Sequence, residues 1–259
     1  MIIKQDCLYP VKGANRPLHI HLPDNYWQST ESYPVMYVFD GHNLFRDEDA
    51  TYGKSWGMET FLNQWPKDMI VVGMECGHVG NERLSEYLPY PADSGSSFSR
   101  FQPLGEETMQ WIVNQVKPQI DDQYRTIPFR ECTGIAGSSM GGLMALYGVT
   151  RYNRWFSKAG CLSSAVGFCM GPIMADISRL ELSPDTRVYL SWGSREAAGV
   201  RDPLAEDHSS HTYFCNRRIA EGLSTWGAAP KLRCQVGGGH CEADWEKLVP
   251  ECLNFLWME

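Results

Sequence analysis

The sequence predicts an α/β fold, with a mostly parallel central sheet and helices on both faces. Three observations carry that prediction. Continuous apolar runs such as Val35-Met36-Tyr37-Val38-Phe39 and Met69-Ile70-Val71-Val72-Gly73-Met74 have the pattern of strands buried on both sides. Segments of helical character alternate with such runs, which is the order of strands joined by helical crossovers. Gly137-Ser138-Ser139-Met140-Gly141 separates a short buried stretch, Glu131 to Ala136, from a small and apolar one, Gly142 to Gly148. That is strand, sharp turn and helix in succession. The 259 residues suit a single α/β domain spanning 1–259.

The elements follow in order. Ile2 to Tyr9 and Pro17 to Leu22 read as an antiparallel pair, and the alternation in Leu18-His19-Ile20-His21-Leu22 suits a half-buried strand. After the Val35–Phe39 strand, Trp56 to Trp65 reads as a helix, and Met69 to Met74 as the next strand. Cys76 to Pro103 is rich in Gly, Ser, Pro and Tyr and reads as a long surface loop, a feature that in compact domains is often functional. Whether it acts as a lid is open. Glu106 to Tyr124 carries Met109, Ile112, Val113, Val116 and Ile120 at helical spacing. Lys158–Leu162, Arg187–Trp192 and Lys231–Val236 read as strands, and Phe214–Trp226 and Ala243–Trp257 as helices. Ligands of such sheets bind beyond the carboxyl ends of the strands.

Composition excludes several classes. Net charge is −8, and no Lys/Arg run offers the counterion-displacing patch of a nucleic-acid binder. An anionic membrane surface would repel the chain, and no apolar stretch approaches the roughly 18 residues of a membrane span. The first residues lack the apolar core and small-residue cleavage site of a signal peptide. Nine cysteines, an odd number without a C-x-x-C pair, suit free thiols in a reducing cytoplasm. Homo-oligomerisation stays open.

The pentapeptide fits G-x-S-x-G and selects Ser139 as a nucleophile, its hydroxyl raised above the sheet by a strained turn. A serine hydroxyl needs a base, and the base an orienting acid. In sheets of this kind the chain order is Ser, acid, His. Three histidines follow Ser139. His240, in Gly237-Gly238-Gly239-His240 directly after the last strand, is the best-placed base. His208 and His211 read as solvated histidines near a helix start. With Cys215 they offer too few ligands for a metal, so no metal and no organic cofactor is expected. The acid is Glu196, nearest the end of its strand. Asp202 is the next choice, and Asp207 reads as a solvated loop charge. The oxyanion donors are the N–H of Met140, after the nucleophile, and the N–H of His42, in Asp40-Gly41-His42-Asn43. Asp40 is expected to brace that loop. Phe45, Trp56, Tyr87 and Tyr90 are expected to line the substrate pocket.

Asp40-Gly41-His42-Asn43-Leu44-Phe45, Arg83-Leu84-Ser85-Glu86-Tyr87, Gly137-Ser138-Ser139-Met140-Gly141-Gly142, Gly193-Ser194-Arg195-Glu196 and Gly239-His240…Trp245 come in the order that resembles the putative esterase family. That family includes feruloyl and acetyl-xylan esterases of carbohydrate esterase family one, esterase D-like enzymes, siderophore esterases and mycolyltransferases. The resemblance runs from about Pro34 to Trp257. It implies an α/β-hydrolase fold with little or no lid and a triad of Ser139, His240 and, at the G-x-x-[DE] position, Glu196. Many feruloyl esterases carry Asp at that position. The expected function is therefore a serine carboxylic ester hydrolase acting on a small ester, an acetyl or cinnamoyl sugar ester first. A siderophore trilactone esterase and an acyltransferase are the alternatives. A catalytically inert binding protein on the same fold is the alternative of another class.

Overall fold

The computed structural model describes residues 1–92, 94–196, 200 and 202–259. Asp93 of the 76–103 loop, and residues 197–199 and 201 beyond Glu196, lie outside that description. Strands β1 (Ile2–Tyr9), β2 (Ala14–His21), β3 (Val35–Phe39), β4 (Ile70–Met74), β5 (Thr133–Ser138), β6 (Lys158–Leu162), β7 (Arg187–Gly193) and β8 (Ala229–Gln235) form one sheet in the order β1-β2-β4-β3-β5-β6-β7-β8. The two ladders made by β2 are antiparallel and all others are parallel. Strands β3 to β7 therefore end at one common edge.

Eight α-helices are described: α1 (Met58–Leu62), α2 (Glu82–Glu86), α3 (Gly105–Trp111), α4 (Lys117–Gln123), α5 (Met140–Arg151), α6 (Met170–Arg179), α7 (His211–Ser224) and α8 (Glu242–Trp257). A single π turn, Ile112–Val116, joins α3 to α4, so the periodicity over 106–124 continues through both. The period of two in β3 divides the core. Val35, Tyr37 and Phe39 pack with apolar side chains of α3, α5, α6 and α7 on one face, whereas Met36 and Val38 pack with those of α1 and α8 on the other. Trp65 Nε1 ties the end of the α1 region to Asn254 Oδ1 of α8 at 2.8 Å.

Three expectations change. The 56–65 helix shrinks to the five residues of α1. The 76–103 segment is not all loop, since it contains α2 and the buried Tyr87 and Leu88. Helix α6 was not foreseen, because 163–186 opens with Ser163-Ser164 and carries two glycines and two prolines that disguise its period. None of the nine cysteines is joined in a disulfide among the described residues. Among the described residues no helix is long and apolar enough to cross a membrane.

Asp207 also departs from its expected place as a solvated charge. It is buried and accepts the backbone N–H groups of Ser209 (3.0 Å) and Ser210 (2.9 Å), the Ser210 hydroxyl and Trp192 Nε1 (3.1 Å). Ser210 in turn caps α7 by accepting the Tyr213 N–H. Burial works to raise the Asp207 pKa, but the bonds from Ser210, Ser209 and Trp192 outweigh it and hold the carboxyl below its ordinary 3.8. A depressed pKa stabilises the fold above the ordinary value, and the gain disappears as pH falls through the lowered one. Asp207→Asn should therefore destabilise by about 1–3 kcal/mol at pH 7. The gap in Tm between the two proteins should narrow below pH 3.8.

Candidate active site

The elbow begins where β5 runs out. Ser139 has φ 57° and ψ −121°, a conformation that costs a non-glycine residue roughly 1–3 kcal/mol. Backbone bonds hold it there: the Ser139 N–H donates to Leu162 O (2.9 Å), and Ser139 O accepts from Ala165 (3.0 Å) and from Leu143 in α5 (3.1 Å). The flanking glycines are steric necessities. A Cβ on Gly137 would stand 2.5 Å from the Gly141 carbonyl carbon, and one on Gly141 would stand 2.9 Å from Phe39 Cβ of β3.

The last two strands bring the other partners to the same edge. The turn after β7 and the glycine turn after β8 are bonded to each other. Ser194 N–H donates to Gln235 O (3.0 Å), Arg195 N–H to Gly238 O (2.9 Å) and Gly237 N–H to Ser194 Oγ (2.8 Å). Gly239 N–H donates to Asp244 Oδ2 in the first turn of α8 (2.7 Å). This lashing delivers the Glu196 carboxylate to His240. Oε2 of Glu196 is bonded to His240 Nδ1, and Oε1 accepts the Gly193 N–H. The glutamate side chain is 10% exposed and the imidazole 44%, so the pair is braced on its inner side and open on its outer side. Trp245 meets the His240 ring edge-on at 5.1 Å and is itself fixed by donating to Ser163 Oγ at 2.9 Å. Nothing in the sequence signalled the Ser163 contact.

Asp202, the second candidate acid, is exposed and accepts the Leu204 N–H at 2.9 Å. His208 is exposed and lies beside Glu206, whereas His211 opens α7 with Nε2 3.3 Å from Cys215 Sγ. The structure does not gather His208, His211 and Cys215 into one site.

The loop after β3 faces the elbow. Gly41–Asn43 form one 3-10 turn preceded by Asp40 at φ 59°. Gly41 rests on β4, where a Cβ would come 2.4 Å from the Gly73 carbonyl carbon. Among the described residues the His42 and Met140 N–H groups make no backbone hydrogen bond outside their own helical turns, and Met140 opens α5, where the helix dipole favours negative charge. Asp40 braces this loop. Its carboxylate takes a bidentate bond from Arg83, with both distances 2.7 Å, and its N–H donates to the Tyr87 hydroxyl at 3.2 Å. Arg83→Met should leave the 6% exposed Asp40 carboxylate unpaired. The expected cost is about 3 kcal/mol or more, read as a lower Tm, with a fall in kcat as the His42 loop loosens.

Ser139, His240, His42, His78, Arg83 and Trp245 line one open cleft of about 350 Å³. Ser139 and His240 thus share a cavity, and among the described residues no hydrogen bond joins their side chains. Catalytic bonds often tighten only when substrate is held. The aromatic pocket requires correction. Phe45, Trp56 and Tyr87 are core residues, exposed by 5%, 4% and 2%, and Tyr90 is spent on Asp176, to which its hydroxyl donates at 2.6 Å. Large apolar rings near a sheet edge are drawn beneath the loops, where they exclude most water. The aromatic surfaces of the cleft are Trp245 and the exposed Tyr52.

This arrangement of sheet, elbow and crossover helices is that of an α/β-hydrolase-type fold. The chain belongs to the putative esterase family, whose pattern it matches over residues 11–256, and it is a carboxylic ester hydrolase. It is 30% identical over 187 residues to the uncharacterized protein YbbA of Bacillus subtilis (strain 168), a match covering 71% of this chain and 70% of that one. Among solved structures, the enterobactin esterase FES from Shigella flexneri, in the presence of enterobactin, superposes with a TM-score of 0.74 at 16% identity. That match covers all of this chain but only 59% of FES. A ferulic acid esterase superposes with a TM-score of 0.66 at 17% identity, covering 99% of this chain and 97% of that one. At these identities the likeness is one of fold.

Proposed function

We propose that Ser139, His240 and Glu196 act as nucleophile, general base and orienting acid of an acyl-enzyme mechanism. The observation that carries this reading is the Glu196–His240 bond opening into the cleft that also holds the strained Ser139. Glu196 fixes the tautomer with the proton on Nδ1, which leaves Nε2 as the acceptor. Ser139 Oγ attacks the ester carbonyl as His240 takes its proton. The tetrahedral oxyanion accepts bonds from the His42 and Met140 N–H groups, each worth about a hundred- to a thousandfold in rate. The imidazolium then protonates the departing alcohol. Water, activated by the same imidazole, attacks the acyl-enzyme, releases the acid and restores Ser139.

The cleft is shallow and mixed in polarity, with imidazoles and a guanidinium on its walls. It suits a small acyl group on a polar alcohol, an acetyl or cinnamoyl ester of a sugar. The catecholate trilactone is the second reading, since one structural neighbour is an enterobactin esterase. Nine cysteines without a disulfide among the described residues fit work in a reducing cytoplasm. Labelling with a fluorophosphonate, mapped by mass spectrometry, should mark Ser139 alone. A panel of acetylated sugars, methyl ferulate and a tri-catecholate lactone should give its highest kcat/KM on a sugar or cinnamoyl ester. A hundredfold preference for the lactone would replace the first substrate reading by the second.

A further inference from the structure

We propose that His42, Glu75 and His78 form a binding site for a divalent transition-metal ion of the zinc class at the rim of the cleft. The three side chains each present one ligand atom, and these atoms lie within 4.8 Å of one another. The topology makes the cluster. β3 and β4 are parallel neighbours, so the turn bearing His42 and the segment Glu75–His78 leave the sheet at the same edge. The glycine-on-glycine approach of Gly41 to Gly73 then draws the two loops together.

Each donor is prepared. His42 is 8% exposed, and its Nδ1 is buried without a hydrogen-bond partner among the described residues. A buried nitrogen left unpaired needs an explanation. The His42 and His78 rings meet edge-to-face at 4.8 Å. Glu75 bonds to His78 Nε2 through one oxygen (2.9 Å) and to the buried His19 Nε2 through the other (2.5 Å). His19 thus holds the carboxylate from behind, as outer-shell partners of metal ligands do.

Two imidazoles and a carboxylate are the donor set of open zinc sites, and poor donors for magnesium or calcium. Ligands about 2.0–2.1 Å from one tetrahedral ion stand roughly 3.3 Å apart. The cluster therefore needs a closure of up to about 1.5 Å, which the half-exposed His78 side chain can supply. Such an ion would cross-link the loop that carries the His42 N–H to the loop after β4.

The test is zinc binding to chelator-treated full-length protein, followed by calorimetry with ZnCl2 and by the visible spectrum of the Co2+ form. The wild type should bind one ion. At a hundredfold excess over Kd its Tm should rise by roughly 5–10 °C. His78→Ala and Glu75→Gln should each weaken binding by roughly tenfold or more and remove the cobalt bands. His78→Ala removes an exposed side chain, so it keeps the experiment decisive if Glu75→Gln fails to fold. Absence of one-to-one binding by the wild type would overturn the site. So would unchanged affinity in both variants with loss in His240→Ala, which would place the ion on the catalytic pair. None of these measurements requires ester turnover, so failure here and failure of the hydrolase mechanism are separately visible.

Discussion

Ser139→Ala should lower kcat on p-nitrophenyl acetate by roughly 10⁴- to 10⁶-fold and abolish fluorophosphonate labelling. The size of the effect follows from the mechanism. The other groups of the site can polarise and hold an ester, but without Oγ there is no acyl-enzyme, and water must attack directly. The residual rate should reflect the oxyanion donors and binding alone. The fold should persist. The Ser139 side chain does not cap α5, and the bonds that fix the elbow come from backbone groups of Ser139, Leu143, Leu162 and Ala165, which alanine keeps. Alanine adopts the same strained φ and ψ at a similar cost, so Tm should stay close to that of the wild type. Equal turnover by the two proteins would remove Ser139 from the chemistry.

Glu196→Gln should be the second largest loss, about 10⁴-fold in kcat with KM little changed. The amide retains the shape of the carboxylate, and its oxygen can still accept the Gly193 N–H. Its other arm, however, then presents an NH2 donor to His240 Nδ1. The ring answers by placing its proton on Nε2, and the nitrogen that faces the cleft can no longer accept one from serine. Asp202→Asn tests the rival. Asp202 spends its carboxylate on a local turn with Leu204, in solvent, so this variant should retain kcat within about twofold, as surface substitutions usually do. The reverse ranking of the two variants would transfer the acid role to Asp202.

The legibility of this protein followed the range of its interactions. The parallel strands were readable because burial on both faces demands unbroken apolar runs, as in Val35–Phe39 and Ile70–Met74. The helices at 106–124, 211–224 and 242–257 were readable because their apolar side chains recur at helical spacing. The elbow was readable because its steric demands fall on five consecutive residues, with glycines where a Cβ would collide. Glu196 and His240 were nominated by position alone, each just past a strand end. Their hydrogen bond depends on β7 and β8 being neighbours in the sheet, and on a cross-loop lattice through Ser194, Arg195 and Gly238.

The aromatic residues show where sequence reading misleads. Phe45, Trp56, Tyr87 and Tyr90 sit in segments adjoining the cleft, and nothing local distinguishes a pocket wall from a core plug. Burial decides that, and burial is a property of the assembled layers. Tyr87 became a brace for Asp40 rather than a substrate contact, and the cleft is lined instead by the exposed Tyr52 and one edge of the buried Trp245.

By itself, then, the sequence determined the parallel strands, most of the helices between them and the serine at the turn, because period, chain order and backbone sterics act between near neighbours. The tertiary structure alone decided the cleft walls, the Arg83–Asp40 brace and the grouping of His42 with Glu75 and His78. The brace and the His42, Glu75 and His78 group join residues roughly thirty to forty positions apart, and only the pairing of β3 with β4 brings their loops to one edge.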